Sequence, residues 1–101
     1  MRFKRLQILQ LTGLPSRTLN HWIKTGIIPR PIREGREVFY DEATLERIRK
    51  LQKLSFLDMS IRLRLIDEGK ASQIFGNQVA TFKYIDGILS VTYRRYHDYQ
   101  E

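Results

Sequence analysis

The sequence predicts a mainly α, α+β chain with a helix-turn-helix near its start and a C-terminal β-hairpin appendage. Three observations carry this prediction. Two short segments of helical character flank "LTGLP". A proline-bounded, β-prone stretch, "PRPIREGREVFY", precedes a longer amphipathic helix. "ATFKYIDGILSVTYR" places Asp86-Gly87 between two runs of β-branched and aromatic residues, the strongest short-range hairpin signal. The elements divide into residues 1–69 and a C-terminal segment, 70–101.

Each element has a local reason. "KRLQILQL" (Lys4–Leu11) reads as a short helix with Ile8 and Leu11 on one side and Leu6 and Leu9 widening it. Gly13 supplies the turn. A second helix follows from Ser16, a candidate cap, to Thr25, with Gly26 ending it and Pro29 forbidding its resumption. At 100° per residue, Leu19, Trp22 and Ile23 share a face, while Arg17, Asn20, His21 and Lys24 share the opposite one. In the next stretch a turn at Glu34-Gly35 would set Ile32–Arg33 against Arg36–Glu37, with the two arginines flanking the tip. Asp41 caps "EATLERIRKLQKLSF", whose Leu45, Ile48 and Leu51 face inward. Asp58 caps a helix from Met59 to Glu68, closed by Gly69. Its apolar residues cover more of its circumference than a surface helix needs. In the final hairpin, Ile85 opposes Ile88, and Tyr84–Leu89, Phe82–Val91 and Ala80–Tyr93 share one face. A coiled-coil spacing through Phe82, Ile85, Leu89, Thr92, Tyr96 and Tyr99 competes with this reading, and Gly87 with the β-branched residues opposes it.

Composition narrows the function classes. A chain of 101 residues with 42% hydrophobic and 29% charged residues can build one core of ordinary size. No apolar run approaches the roughly 18–20 residues of a membrane span. The opening "MRFKRLQILQ" lacks the continuous apolar stretch of a secretory signal. Cysteine is absent, which removes disulfides, thiolate metal sites and cysteine nucleophiles. These features predict no cofactor, no membrane association and a cytoplasmic location. The net charge of +7 lies wholly within residues 1–36, where eight bases meet one acid, Glu34. The remaining 65 residues hold ten of each sign. A concentrated basic segment points to a polyanion, nucleic acid before membrane. No nucleophile–base pair, glycine-rich phosphate loop or metal-ligand spacing appears, so catalysis is not expected. His21 and His97 are too far apart to suggest a metal site. His97 beside Tyr93, Tyr96 and Tyr99 reads as surface or interface packing.

The ordered set of helix, "LTGL", helix with "RTL", "GII P", a β-prone stretch and "FYDEATLERIRKLQKL" resembles the N-terminal domain of MerR-like transcription regulators over residues 3–68. That resemblance implies a winged helix-turn-helix, with the second helix in the DNA major groove and the wing on the flanking backbone. It makes Arg17 a base contact and Arg36, after Gly35, a backbone contact. Where the family often has Arg-Tyr-Tyr, this chain has Asn20-His21-Trp22. Asn suits an adenine contact and Arg a guanine contact, so the base preference departs from the family's. Leu9 also stands where a small alanine is usual, which should shift helix packing. The family's long coiled coil and sensor domain have no counterpart after Gly69, so the expectation is a minimal, effectorless member.

The DNA-binding candidates are therefore Lys4, Arg17, Thr18, Asn20, His21, Lys24, Arg33 and Arg36. The outer bases Arg47, Arg49, Lys50 and Lys53 serve either phosphate contact or solubility. Phe82, Tyr84, Leu89 and Val91 are the dimerisation candidates. The resulting expectation is a bacterial, nucleoid-associated regulator that binds double-stranded DNA as a homodimer. Two alternatives stand beside it. One is an architectural DNA-binding protein of excisionase, terminase small-subunit or chromosome-anchoring type. The other is a protein-interaction module whose partner meets the C-terminal segment.

Overall fold

Ten elements form along residues 1–95, the residues described in a computed structural model of the chain. They group into two compact units, Met1–Lys53 and a second from Leu54 onward. The architecture is α+β, with four helices and two three-stranded sheets among the described residues.

In the first unit, strand β1 (Arg2–Phe3) pairs with β3 (Glu37–Asp41), which also pairs with β2 (Ile32–Glu34), giving the order β1-β3-β2. β1 is too short to leave a periodic signal in the sequence. Helix α1 (Arg5–Thr12) starts with the Gln7 side chain accepting from the Lys4 backbone N–H at 2.7 Å. It stops because Gly13 adopts φ +68°, a left-handed conformation open to glycine, and donates its N–H to the Leu9 carbonyl. Ile8 is fully buried, but Leu6 and Leu11 are exposed, so the inward face is narrower than the sequence suggests. Helix α2 (Ser16–Lys24) has Pro15, not Ser16, as its N-terminal cap residue. Pro15 is extended at ψ 141°, and its carbonyl accepts the Leu19 N–H. The Ser16 hydroxyl is thereby released from capping.

The β2–β3 register sets Ile32 opposite Phe39, Arg33 opposite Val38 and Glu34 opposite Glu37. The turn is therefore Gly35-Arg36, one residue later than Glu34-Gly35. Gly35 takes φ +60° at the first turn position, as hairpin-compatible turns require. Arg36 consequently occupies the tip itself and Arg33 sits two rungs below. Arg2 holds Glu34 through two contacts at 3.0 and 3.1 Å and lies 4.1 Å over the Phe39 ring, tying β1 across the sheet. Helix α3 (Glu42–Lys53) begins at Asp41, whose Oδ1 accepts from the Thr44 backbone N–H and hydroxyl at 2.9 and 2.8 Å. Leu45, Ile48 and Leu51 are buried as expected.

The second unit contains helix α4 (Met59–Glu68) and the meander β4 (Lys70–Phe75), β5 (Gln78–Ile85) and β6 (Ile88–Arg95). Leu54, Ile61 and Leu65 pack with Ala71, Ala80 and Phe82 in one core. Thus α4, placed with residues 1–69 by its sequence context, shares its buried side with the sheet. That accounts for its wide apolar surface. The expected hairpin is present in the expected register, Ile85 opposite Ile88 and Phe82 opposite Val91. Asp86 and Gly87 both take positive φ, the conformation this turn demands. What the hairpin reading lacks is β4, paired to β5 through the Gly76-Asn77 turn.

The Asp41 cap makes stability in this region pH-dependent. Hydrogen bonds from the Thr44 backbone and then its hydroxyl hold the Asp41 carboxyl below its ordinary value. A lowered folded-state pKa gives stability that is present above the unfolded value, about 3.9, and lost as pH falls through the folded one. Asp41→Ala should cost about 1 kcal/mol in urea denaturation at neutral pH. The advantage of the native protein over Asp41→Asn should shrink as pH drops below about 4.

Candidate nucleic-acid interface

Helix α2 builds the densest set of exposed donors in the first unit. Leu19 and Trp22 are buried and Ile23 half-buried, which fixes the rotation of the helix about its axis. Arg17, Asn20, His21 and Lys24 then fall within about 100° of arc on the far side, and all four are exposed. Thr18 lies beside this arc and is half-buried. The helix contains no acid, so nothing on it neutralises Arg17 or Lys24. Its C-terminal end is closed by the Thr25 N–H and hydroxyl, both donating to the His21 carbonyl.

Arg5 on α1 reaches the same surface, a contact that no pattern within either helix signals. Its Nη2 donates to the Ser16 hydroxyl at 2.7 Å, the Ser16 carbonyl at 3.2 Å and Asn20 Oδ1 at 2.7 Å. Fifteen residues separate Arg5 from Asn20, and no periodicity within either helix links them. The only available signal was charge, since Arg5 is one of the eight bases of the first third. The contact changes what Asn20 offers. Guanidinium is a pure donor, so the amide presents its oxygen to Arg5 and its Nδ2 donor elsewhere. Asn20 and Arg5 together make an edge dominated by donors, whereas an isolated Asn offers a donor and an acceptor equally.

The β2–β3 hairpin carries Arg33 and Arg36, both exposed. Lys4 and Arg36 line a common depression of about 390 Å³ with Arg2, Gln7 and Glu37, its floor including Phe3 and Phe39. This brings together two candidates that are 32 positions apart in sequence. Arg2, by contrast, is occupied with Glu34, the single acid of the first third. Among the outer bases of α3, Arg49, Lys50 and Lys53 are exposed, but Arg47 is half-buried and donates to the Ile27 carbonyl at 2.7 Å. That bond holds the loop between α2 and β2. At the other end of the motif, Gln52 donates to the Thr12 carbonyl and the Thr12 hydroxyl accepts the Leu14 N–H. The turn between α1 and α2 is thereby fastened from α3.

The dimerisation candidates are placed differently from their expected role. Phe82 is 4% exposed in the core under α4, with Tyr84 and Leu89 packed partly buried against it. Only Val91, 41% exposed, remains open. The apolar side of the hairpin meets α4 because that helix needs a partner for Ile61 and Leu65. His97, Tyr96 and Tyr99, with the interface reading attached to them, lie outside the described residues. No described helix is long and apolar enough to cross a membrane.

The clasp on Asn20 has a direct spectroscopic consequence. In Arg5→Met the two Asn20 side-chain amide proton resonances should move to the values of a free, solvated amide. The unfolding free energy should fall by about 1 kcal/mol, the scale of an exposed charge-assisted bond. Unchanged amide resonances would show that Arg5 does not hold Asn20 in solution.

Residues 7–63, more than half of the chain, match the family described as MerR HTH family regulatory protein. No curated protein and no solved structure matches the chain. The family match begins within α1, crosses α2 and the β2–β3 hairpin, and ends in α4, so it contains most of the donor surface. The chain belongs to the MerR helix-turn-helix regulatory family.

Proposed function

We propose that the protein is a sequence-specific, double-stranded DNA-binding transcription regulator. The observation that carries this reading is the acid-free outer arc of α2, Arg17, Asn20, His21 and Lys24, turned outward by burial of Leu19 and Trp22. Used as the recognition helix, α2 inserts this arc into the major groove. Arg17 is the base-reading residue and Asn20, His21 and Lys24 flank it, with Thr18 at the margin. The β2–β3 hairpin acts as the wing, where Arg36 at the tip and Arg33 grip phosphates. Lys4 adds a phosphate contact beside Arg36. Affinity then comes largely from the phosphates and selectivity from the helix. No reaction is assigned to these residues, and the site of action is the nucleoid.

Selection of bound sites from random duplex DNA at two salt concentrations tests the reading. A defined motif is expected, and an absence of enrichment with affinity collapsing at higher salt would overturn it. Arg17→Ala should relax the preference at one base position by about 1–3 kcal/mol of discrimination. Arg36→Ala should weaken all sequences alike and lower the salt slope by about one. If Arg17→Ala returned the same motif with the same stringency, Arg17 would not be a base contact.

We further propose that the regulator works as a homodimer formed along β6. This strand is the outer member of its sheet, exposed over most of its length, with Val91 and Tyr93 open. Such an edge offers a second chain a row of backbone groups. An inverted-repeat motif supports this arrangement, whereas direct repeats favour cooperative architectural binding. Sedimentation should give twice the chain mass of 12.1 kDa for the native protein and the single mass for Val91→Lys. A native protein sedimenting as a monomer at micromolar concentration would remove the homodimer.

A further inference from the structure

The strands β4, β5 and β6, "KASQIF", "QVATFKYI" and "ILSVTYRR", contain no carboxylate. Their register sorts the side chains between two faces. Ala71, Ala80 and Phe82 lie on the side that packs with α4. Lys70, Lys83 and Arg94 lie on the other, with Lys70 directly opposite Lys83. Like charges opposed on neighbouring strands work against pairing, so the arrangement costs the sheet stability. None of these three side chains has an ion-pair or hydrogen-bond partner among the described residues. Between them runs a row of hydroxyls, Ser72, Thr81 and Thr92, in register across all three strands, with Ser72 Oγ and Thr81 Oγ1 at 3.5 Å.

The surface is shallowly concave along this row. Thr81, Lys83, Thr92 and Arg94 line one depression of about 250 Å³. Arg64, Lys70, Ser72 and Thr81 line a second, with Glu68 the one acid there. Thr81 belongs to both, so donors run without a break from Arg64 to Arg94. Adjacent strands are about 4.8 Å apart, and three strands therefore spread these donors over about 10 Å. That is room for more than one anionic group. The apolar side chains of this face, Ile74 and the fully buried Val79 at one end and Ile85 and Ile88 at the other, stand outside the hydroxyl row. Between them the rows of Ser72, Thr81 and Thr92 and of Lys70, Lys83 and Ser90 carry no exposed aromatic or large aliphatic side chain of the kind that anchors protein partners. A track of cations and hydroxyls matches the chemistry of a sugar–phosphate backbone, which is held by just these groups.

We infer that this sheet face is a second DNA-backbone surface, in which Lys70, Lys83 and Arg94 neutralise phosphates and Ser72, Thr81 and Thr92 hydrogen-bond to them. The inference rests on the DNA-binding reading and assigns the second unit a share of the contact. It predicts affinity without sequence preference from this face, because no base edge is engaged. It also gives the opposed lysines a purpose, since a bound phosphate removes their mutual repulsion.

The test compares full-length native protein with Lys83→Gln/Arg94→Gln on two duplexes of equal length, one carrying the selected motif and one of random sequence. The salt dependence of the dissociation constant is measured on both. The double variant should lose about two from the slope of log K against log salt, equally on both duplexes. Its selected motif should be that of the native protein. Arg95→Gln serves as the reference, because Arg95 pairs opposite Gln78 on the α4 side and should leave the slope unchanged. Circular dichroism and thermal unfolding confirm that each variant is folded. An unchanged slope in the double variant, or an equal loss in Arg95→Gln, overturns the inference. The site-reading proposal fails separately, through native protein that enriches no motif, and the slope comparison on random duplex remains valid in that event.

Discussion

Burial of Leu19 and Trp22 is the constraint on which the first unit's surface depends. Nine residues make a helix too short to persist in water by its own propensity, so α2 exists because it is packed. Each fully buried side chain of this size contributes about 1.5–3 kcal/mol. The same burial fixes the helix's rotation, and rotation alone decides that Arg17, Asn20, His21 and Lys24 point outward together. Turns and bonds at both ends then limit how far the helix can shift. Gly13 and Pro15 set its entry, while Arg47 on the Ile27 carbonyl holds its exit.

A second layer of control is electrostatic. The first third of the chain is almost uniformly basic, and its single carboxylate, Glu34, is occupied by Arg2. What remains exposed is a set of cations on α2, which carries no acid, and on the hairpin, where Glu37 is the neighbouring carboxylate. Arg5 stands apart from the rest because its Nη2 is engaged within the protein. By holding Asn20 and the Ser16 hydroxyl, it converts a mixed donor–acceptor amide into part of a donor edge. Asn20 and Arg5 are thus one hydrogen-bonded unit, whose amide keeps its Nδ2 donor free to face outward.

Much of the local structure was legible because its cause is local. Asp86-Gly87 dictates its own turn and hence the register of the strands around it. Gly13, Gly69 and Asp41 end or begin helices through bonds to neighbours within four residues. The misses have the opposite character. β1 is two residues that become a strand only when β3 lies beside them. β4 needed the Gly76-Asn77 turn to be weighed with a strand partner already in place. The β2–β3 turn is a local exception: it slid by one because Gly35 takes the positive φ of the first turn position, not the second. Ser16 looked like a cap by residue type, yet the extended proline before it took that place. Phe82, Tyr84 and Leu89 are apolar residues on one face, and periodicity cannot say whether α4 or a second chain covers that face.

By itself the sequence determined the class of partner and the order of the parts: a basic first third, a helix-turn-helix, a hairpin with arginines, and a β-rich end. These follow from composition and from interactions spanning a few residues, which chain order preserves. Only the tertiary structure decided which side chains act together. Arg5 joins Asn20, Lys4 joins Arg36 around one depression, and half-buried Arg47 holds a loop. The residues beyond position 36 balance ten bases against ten acids, and no count of them suggests a charged face. Folding three carboxylate-free strands side by side creates one, because strand pairing sorts alternate residues to opposite sides and gathers cations that the chain keeps at least eleven residues apart.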